Sequence, residues 1–359
     1  MKIGVLGGGQ LGRMMALAGL PLNLEFCFWD DAAEPCAAPL GRVYKSHELD
    51  QFIAAADLVT YEFENVPLDI AQRVAAVKPL HPSVEALRIS QHRIREKSTF
   101  QALGIPTPDF AEIHSPDELK AAVTRVGLPC VVKTATQGYD GKGQWVIRSE
   151  ADFANVDFSN TPLIAEQFIR FERELSLVGV KSVTGELAFY PLVENTHENG
   201  ILRTTIAPAP GVDSTLEKCA QDYLSKLFDH LGYAGVLTLE LFQTSTGLIA
   251  NEMAPRVHNS GHWTMDGAVT SQFENHLRAI LGLPLGQTQP HHVAAMVNIL
   301  GDVPDEKAVF AVPGTRLHLY GKSPKKNRKI GHINLTAQNY EALQARVQPL
   351  LALTAASNQ

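Results

Sequence analysis

The first twelve residues restrict the possible folds of this chain more than any other feature. An apolar segment, KIGVL at positions 2–6, runs directly into GGGQLGRM, where Gly7, Gly9 and Gly12 form the pattern G-x-G-x-x-G. A short buried strand, a glycine turn and a helix over 11–18 make up the opening unit of a parallel sheet flanked by helices.

Apolar segments at 23–29 and near 58–61 predict the next strands. The alternation of strands and helices indicates an α/β, doubly wound domain through about residue 95. Three interpretations of the glycine turn remain open. It can bind NAD, with Asp30 on a ribose hydroxyl, it can receive another phosphate-bearing ligand at the helix N-terminus, or it can simply pack helix against strand.

Length and charge exclude several classes of protein. The 359 residues are enough for two or three domains, and the net charge of −7 argues against a general nucleic-acid or anionic-membrane binder. The apolar start ends at Leu6, which does not suit a signal peptide, and no segment has the ~20 apolar residues of a membrane span. The four cysteines form no C-x-x-C pair, so we expect a cytoplasmic protein without a disulfide framework.

The segment from His81 to Pro108 predicts a helix that is capped by Ser90 and ends at Gly104. Strand-like segments follow between 171 and 206. The segment GTRLHLYGKSPKKNRKIGHINL predicts a strand, a basic loop and a second strand.

A second glycine-rich loop follows the strand that ends at Lys133. Gly138, Gly141 and Gly143 are interspersed with Asp140 and Lys142. Asp-Gly favours a hairpin turn, but flexible amides flanked by ammonium groups are what a lid over a polyphosphate requires. The Walker A pattern is absent.

Acidic residues interrupt both strands of the predicted hairpin TLELFQTSTGLIANEMAP. A turn centred on 245–246 places Glu240 opposite Asn251, within one residue of Glu252. Two carboxylates and an amide form a hard-oxygen site that suits Mg²⁺ shared with phosphates, although a single Glu on an exposed strand face is ordinary.

The loop after this hairpin is rich in polar side chains. Arg256, His258 and Asn259 indicate a substrate loop. A zinc pair of His258 and His262 is the weaker interpretation, because Gly261 intervenes and H-E-x-x-H is absent.

Together, GGGQLGRM, YEFENVP, KTATQGYDGKGQW, NEMAPRVHNSGHW and YGKSPKKNRKIGHIN closely resemble the N5-carboxyaminoimidazole ribonucleotide synthetases, ATP-grasp ligases of purine biosynthesis. The resemblance covers about residues 2 to 335 in the family's order. It implies an ATP-grasp fold with a Rossmann-like pre-ATP-grasp domain at 1–96, a central lid domain at 97–165, and a C-terminal ATP-grasp domain at 166–359.

The resemblance also implies roles for individual residues. The acceptor ribonucleotide is expected at Gln10, Leu11, Glu62, Tyr139, Lys142, Arg256 and Asn259, with its 5′-phosphate on Lys322 and Arg328. ATP is expected at Arg93, Lys133, Gly138, Tyr139, Asp140, Gly141, Lys142, Gly143, Gln144, Glu166, Gln167, Phe168, Ile169, Glu174, His197, Asn251 and Glu252. The implied metal ligands are Glu240 and Glu252. Apart from the resemblance, the position of Arg256 and His258 just after the acidic hairpin makes them candidates for holding bicarbonate. With Lys133 and Lys142, which would add positive charge at the phosphates, they are the expected catalytic residues.

The implied reaction joins bicarbonate to 5-aminoimidazole ribonucleotide with ATP and Mg²⁺, through carboxyphosphate, in a homodimer. The chain departs from the family's pattern at Ala135 and Gln137 in the lid, and at 325–327 in the basic loop. Rival interpretations are a formate-using phosphoribosylglycinamide formyltransferase, an NAD-dependent dehydrogenase and a non-catalytic nucleotide-binding module.

Overall fold

The computed structural model describes residues 1–136 and 143–355. Its N-terminal part contains β1 Lys2–Leu6, α1 Gln10–Gly19, β2 Glu25–Trp29, β3 Arg42–Tyr44, α2 Leu49–Ala55, β4 Leu58–Tyr61, α3 Leu68–Ala75, α4 Val84–Ser90 and α5 Arg93–Ala102. The strands pair in parallel in the order β3-β2-β1-β4, which confirms the predicted doubly wound arrangement. α1 packs Met15 into the same core as Ile3 and Leu277, so this sheet is anchored to the C-terminal part of the chain.

The prediction of a single helix before Gly104, capped by Ser90, is wrong. Two helices occupy that segment, and Ser90 is the last residue of α4 rather than the cap of the next helix. Ser83 caps α4 by accepting a hydrogen bond from the Ala86 amide at 3.4 Å, and His92 is the N-cap residue of α5.

The central part contains β5 Phe110–Ile113, α6 Pro116–Val126, β6 Cys130–Thr134, β7 Gln144–Ile147 and β8 Leu163–Gln167. These strands form an antiparallel sheet in the order β5-β8-β6-β7. β6 and β7 flank the second glycine-rich loop, as predicted. β8 extends two residues past the predicted domain boundary at 165.

The C-terminal part contains β9 Arg173–Lys181, β10 Leu187–Phe189, β11 Val193–Glu198, β12 Ile201–Ala207, α7 Ser214–His230, β13 Gly235–Thr244, β14 Gly247–Ala254, α8 Thr264–Gly267, α9 Gln272–Leu281, β15 Val293–Gly301, α10 Glu306–Ala311, β16 Thr315–Leu319, β17 Lys325–Ala337 and α11 Tyr340–Ala355. The sheet runs in the order β14-β13-β9-β11-β12-β15-β17-β16, with β10 on β9. No helix among the described residues is both long and apolar enough to cross a bilayer.

Two details of this sheet differ from the sequence prediction. A bulge between Glu240 and Leu241 places Glu240 opposite Glu252 rather than Asn251, because Asn251 is the extra residue of β14. The predicted basic loop lies largely within β17, where Lys325 and Lys329 oppose consecutive residues of β15 and Asn327 adopts a φ of 63°.

Candidate active site

A cavity of about 660 Å³ opens where the three sheets meet. Its wall contains most of the described residues that sequence reasoning assigned to ligands: Gln10, Leu11, Glu62, Arg93, Lys133, Gln144, Phe168, Glu174, His197, Glu240, Asn251, Glu252, Arg256, His258 and Asn259. Gly143, Glu166, Gln167, Ile169, Lys322 and Arg328 are described but are not part of that wall. The predicted lid residues Gly138, Tyr139, Asp140, Gly141 and Lys142, and the departure at Gln137, lie outside the described residues.

The glycine turn at the start of α1 binds the protein's own carboxylates. The amides of Gly9 and Gly12 donate to the two oxygens of Glu62, the second at 2.7 Å, and the Gly8 amide donates to Asp30 at 2.7 Å. A dinucleotide pyrophosphate needs these same N–H groups. The structure therefore disfavours the NAD interpretation of this turn, because the protein's own carboxylates accept from these N–H groups.

Glu62 is 8% exposed, and its burial raises the pKa of its carboxyl while the Gly12 and Gly9 amides oppose that rise. Beside it, the Lys322 ammonium donates to the Gln10 side chain, and burial lowers the pKa of Lys322. Lys322 is not part of the cavity wall but contacts it through Gln10, while Lys329 of the same basic segment lines the cavity directly.

The hairpin β13–β14 brings two carboxylates to the cavity from facing positions. Burial and the charge of Glu252 raise the pKa of Glu240 to about 8. Such a pair of mutually repelling carboxylates fits a divalent cation, since a bound cation favours the ionised form of both. The described residues hold no group of three or more His, Cys, Asp or Glu side chains that could bind a metal ion. One or two carboxylates with water and phosphate oxygens are the usual ligands of Mg²⁺.

His258 and Arg256 stand beside this pair. His258 Nε2 is 3.2 Å from Glu240 Oε1, and burial together with the charge of Arg256 lowers the pKa of His258 well below its usual value. Arg256 donates through Nε to Glu64 and through Nη1 to the Val257 carbonyl at 3.0 Å. Although burial opposes it, the Arg256 charge lowers the pKa of Glu64.

Sequence reasoning missed Glu64, although it lies two residues after Glu62 in the same YEFEN segment and lines the cavity. The available signal was that Glu62 and Glu64 are two residues apart just after a buried strand, so that both acids lie at the same strand end. Lys329, Tyr320 and His262 also line the cavity without having been assigned to a ligand.

The nucleotide end of the cavity combines apolar and polar walls. Val131, Val146 and Phe168 line it with Lys133, and His197 Nδ1 lies 2.7 Å from Glu174 Oε2. Burial would lower the pKa of His197, but the hydrogen bond to Glu174 and its charge raise it overall. Apolar side chains next to charged groups suit a nucleotide base and ribose.

The side chain of Glu166 is paired with two lysines. Its carboxylate is 3% exposed, 2.6 Å from Lys133 Nζ and 3.8 Å from Lys97 Nζ. Lys97, which is 1% exposed, also donates to the Asn251 carbonyl. The lysine charges outweigh burial and lower the pKa of Glu166 to about 2, so its side chain is paired with the two lysines. The expected contact of this segment with ATP stays a prediction.

Comparison with known proteins identifies the family. A model of the ribonucleotide synthetase preATP-grasp domain matches residues 1–91, the ATP-grasp domain matches 98–273, and the phosphoribosylaminoimidazole carboxylase C-terminal domain matches 294–346. The N5-carboxyaminoimidazole ribonucleotide synthase of Pseudomonas aeruginosa is 49% identical over 360 residues, covering 98% of this chain and 99% of the relative. The chain belongs to the N5-carboxyaminoimidazole ribonucleotide synthase family.

Solved structures agree with this assignment. The synthetase from Thermus thermophilus superposes with a TM-score of 0.94 at 48% identity, covering 98% of both chains. The Aspergillus clavatus enzyme, in complex with ADP and 5-aminoimidazole ribonucleotide, gives a TM-score of 0.92 at 31% identity, covering 99% of this chain and 98% of that one. The predicted ATP-grasp fold and the ATP-dependent ligase assignment are confirmed, and the dehydrogenase, formyltransferase and non-catalytic interpretations are set aside.

Proposed function

We propose how the residues of the cavity divide the work of the family's reaction, the ATP-dependent carboxylation of 5-aminoimidazole ribonucleotide in purine biosynthesis. The observation that carries the proposal is the facing pair Glu240 and Glu252, with Arg256 and His258 beside it in the same cavity. ATP binds where Phe168 and Lys133 line the cavity, and its phosphates extend toward Glu240 and Glu252.

Glu240 and Glu252 would hold Mg²⁺ together with the ATP phosphates. The bound ion would neutralise phosphate charge during phosphoryl transfer. Lys133 adds a positive charge at the phosphates, and Asn251 stands next to Glu252 on the same strand. Arg93 lies at the wall of this end, with Nη1 donating to the Thr134 carbonyl at 2.8 Å.

Arg256 and His258 would hold bicarbonate. The γ-phosphoryl group moves to a bicarbonate oxygen, giving ADP and carboxyphosphate. The exocyclic amine of the acceptor then forms the new N–C bond, phosphate leaves and the amine loses a proton. The guanidinium of Arg256, fixed by Glu64, supplies donors for the anionic oxygens.

The acceptor ribonucleotide would bind between the N-terminal and C-terminal parts. Gln10 and Leu11 at the start of α1 and the carboxylate of Glu62 form one side, with Asn259 in the loop after the hairpin. Lys322 and Arg328 would take the 5′-phosphate once a ligand competes for the contact between Lys322 and Gln10. Tyr139 and Lys142, which lie outside the described residues, remain predicted contacts of this substrate.

The deciding experiment measures phosphate release from MgATP in bicarbonate buffer, with and without 5-aminoimidazole ribonucleotide. We expect strong stimulation by the ribonucleotide and a loss of more than about 100-fold in Glu252→Ala, because removing even an outer partner of a metal site costs 10–100-fold. Glu341→Ala, an exposed position on α11, should keep the wild-type rate. A Glu252→Ala enzyme with unchanged dependence on Mg²⁺ would contradict the metal assignment.

We also propose a cytoplasmic homodimer, as the family resemblance implies. Sedimentation equilibrium should give twice the 39.1 kDa chain mass. A mass of one chain at micromolar concentration would contradict the dimer.

A further inference from the structure

A line of buried polar side chains leads through the C-terminal sheet to His258. Thr205 Oγ1 donates to Asn195 Oδ1 at 2.9 Å, and Asn195 Nδ2 donates to Ser176 Oγ at 2.9 Å. Ser176 Oγ donates to Ser260 Oγ at 2.8 Å, and Ser260 Oγ is 2.8 Å from His258 Nδ1. The four residues that lead to His258 in this line are each at most 6% exposed: Thr205, Asn195, Ser176 and Ser260.

Sheet register places these side chains in line. β9, β11 and β12 are neighbours, Asn195 of β11 is opposite Thr205 of β12, and Ser176 of β9 is opposite Val193 of β11. Ser260 lies in the short turn that follows the β13–β14 hairpin, so the line connects the middle of the sheet to the cavity wall.

A backbone amide sets the direction of every hydrogen in this line. The Ser260 N–H also donates to His258 Nδ1, at 3.3 Å. An amide can only donate, so Nδ1 must accept and carries no hydrogen. An imidazole ring keeps at least one N–H, and the hydrogen of His258 is therefore on Nε2.

The same reasoning extends along the line, because each hydroxyl has one hydrogen to donate. The Ser260 hydroxyl gives its hydrogen to His258, so it accepts from Ser176. Ser176 in turn accepts from the amide NH₂ of Asn195, and the amide oxygen accepts from Thr205. Each hydrogen bond of the line is thus donated toward His258. A hydrogen on Nδ1 would face two other donors, the hydroxyl and the backbone N–H of Ser260.

We propose that Ser260, Ser176, Asn195 and Thr205 are positioning residues that hold His258 as the neutral tautomer with hydrogen on Nε2. That N–H lies in the cavity, 3.2 Å from Glu240 Oε1. His258 then has one N–H to donate at this end of the cavity, to Glu240 or to a bicarbonate bound beside it, and it takes no proton from the amine of the acceptor. The inference rests on the proposed placement of His258 beside bicarbonate. The hydrogen bond on one ring nitrogen determines what the other nitrogen can do.

Nitrogen NMR of the full-length protein tests the tautomer directly. In protein labelled with ¹⁵N-histidine, the His258 signals are assigned as those absent from His258→Asn. We expect Nδ1 to resonate as a hydrogen-free nitrogen and Nε2 as an N–H nitrogen at neutral pH. Hydrogen on Nδ1, or on both nitrogens, would overturn the inference.

Variants test the positioning role. Ser260→Ala should move the Nδ1 resonance toward that of a ring nitrogen without a donor and lower kcat by about tenfold or more. Ser176→Ala and the isosteric Thr205→Val should shift the resonance and kcat by progressively smaller factors, with KM for ATP within twofold. They keep the test informative if Ser260→Ala does not fold.

Thr238→Val is the matched control. Thr238 is a fully buried strand hydroxyl in the same sheet, and among the described residues its Oγ1 has no hydrogen-bond partner. We expect it to leave the His258 resonances and kcat unchanged. Equal losses in Thr238→Val and Ser176→Ala, or an unshifted Nδ1 in Ser260→Ala, would overturn the positioning role. Full activity in His258→Asn would instead overturn the proposed function of His258 and leave the tautomer result standing.

Discussion

At the scale of single residues, buried charges are the main feature of this enzyme. Glu166 lies between Lys133 and Lys97, and Glu64 binds Arg256. A charge inside a protein is tolerated only when partners compensate its lost hydration. These carboxylates therefore fix the positions of cations that line or support the cavity.

Glu166→Gln should lower the free energy of unfolding by about 3–5 kcal/mol, because it leaves Lys97 and Lys133 without their shared carboxylate. The native pKa of Glu166 is about 2, below its ordinary value of 4.5, so its contribution is present above pH 4.5 and is lost as pH falls toward 2. Urea unfolding at pH 7 and at pH 4 measures both effects. Equal stability of wild type and variant at pH 7 would contradict the prediction.

Glu64→Gln should raise KM for bicarbonate by about tenfold, because the neutral amide holds the Arg256 guanidinium less firmly. KM for ATP should stay within twofold. Glu85→Gln is the control, since the Glu85–Arg88 pair is exposed on both sides. Steady-state kinetics with varied bicarbonate distinguish the two; a rise in KM for ATP alone would refute the assignment.

At the scale of elements, the turn between β1 and α1 explains why glycine is needed there. A Cβ on Gly9 would lie 2.4 Å from Glu62 Oε1, and one on Gly7 would lie 2.5 Å from Glu62 Cγ. The glycines give Glu62 access to the amides of the helix N-terminus. The same pattern that admits a pyrophosphate in other proteins here admits a carboxylate of the protein itself.

Gly9→Ala should displace Glu62 and raise KM for 5-aminoimidazole ribonucleotide by about tenfold, with little effect on KM for ATP. The φ of Gly9 is −80°, so the backbone itself tolerates alanine and the contact with Glu62 is the cause. Leu17→Ala, on the exposed side of α1, is the control. Unchanged kinetics in Gly9→Ala would show that Glu62 does not contribute to acceptor binding.

At the scale of the whole molecule, the cavity exists because three sheets meet around it. Lys97 on α5 connects β8 of the central sheet, through Glu166, with β14 of the C-terminal sheet, through Asn251. Lys322 connects the C-terminal part to α1 through Gln10. The cavity wall therefore includes residues from all three parts of the chain.

Both substrates should raise the thermal unfolding midpoint, since each binds only the folded chain. A ligand at 100 times its Kd adds about 2.7 kcal/mol. Lys322→Met should abolish the shift with 5-aminoimidazole ribonucleotide and keep the shift with MgATP, as measured by calorimetry. Loss of both shifts would mean that Lys322 supports the fold rather than the acceptor site.

The sequence by itself determined the order of elements, the two glycine-rich loops and the residue types of the site. These features depend on local pattern: alternating apolar segments, turn glycines, and acids that interrupt apolar strands. The local pattern was sufficient to predict the doubly wound N-terminal domain, and to predict that Glu240 and Glu252 come together. The ATP-grasp fold was implied by the resemblance of longer segments to a known family.

Only the tertiary structure decided which partner each side chain meets. Counting from the hairpin turn placed Glu240 opposite Asn251, whereas Glu252 is its partner in the structure. The count was off by one because a bulge adds a residue that no local pattern indicates. The side chain of Glu166, in a strand that the resemblance assigns to ATP, pairs with Lys97 and Lys133, and no local pattern indicates these two contacts. Contacts across 33 to 192 residues, such as Lys133–Glu166 and Arg256–Glu64, depend on how the sheets pack, and the chain sets that packing only as a whole.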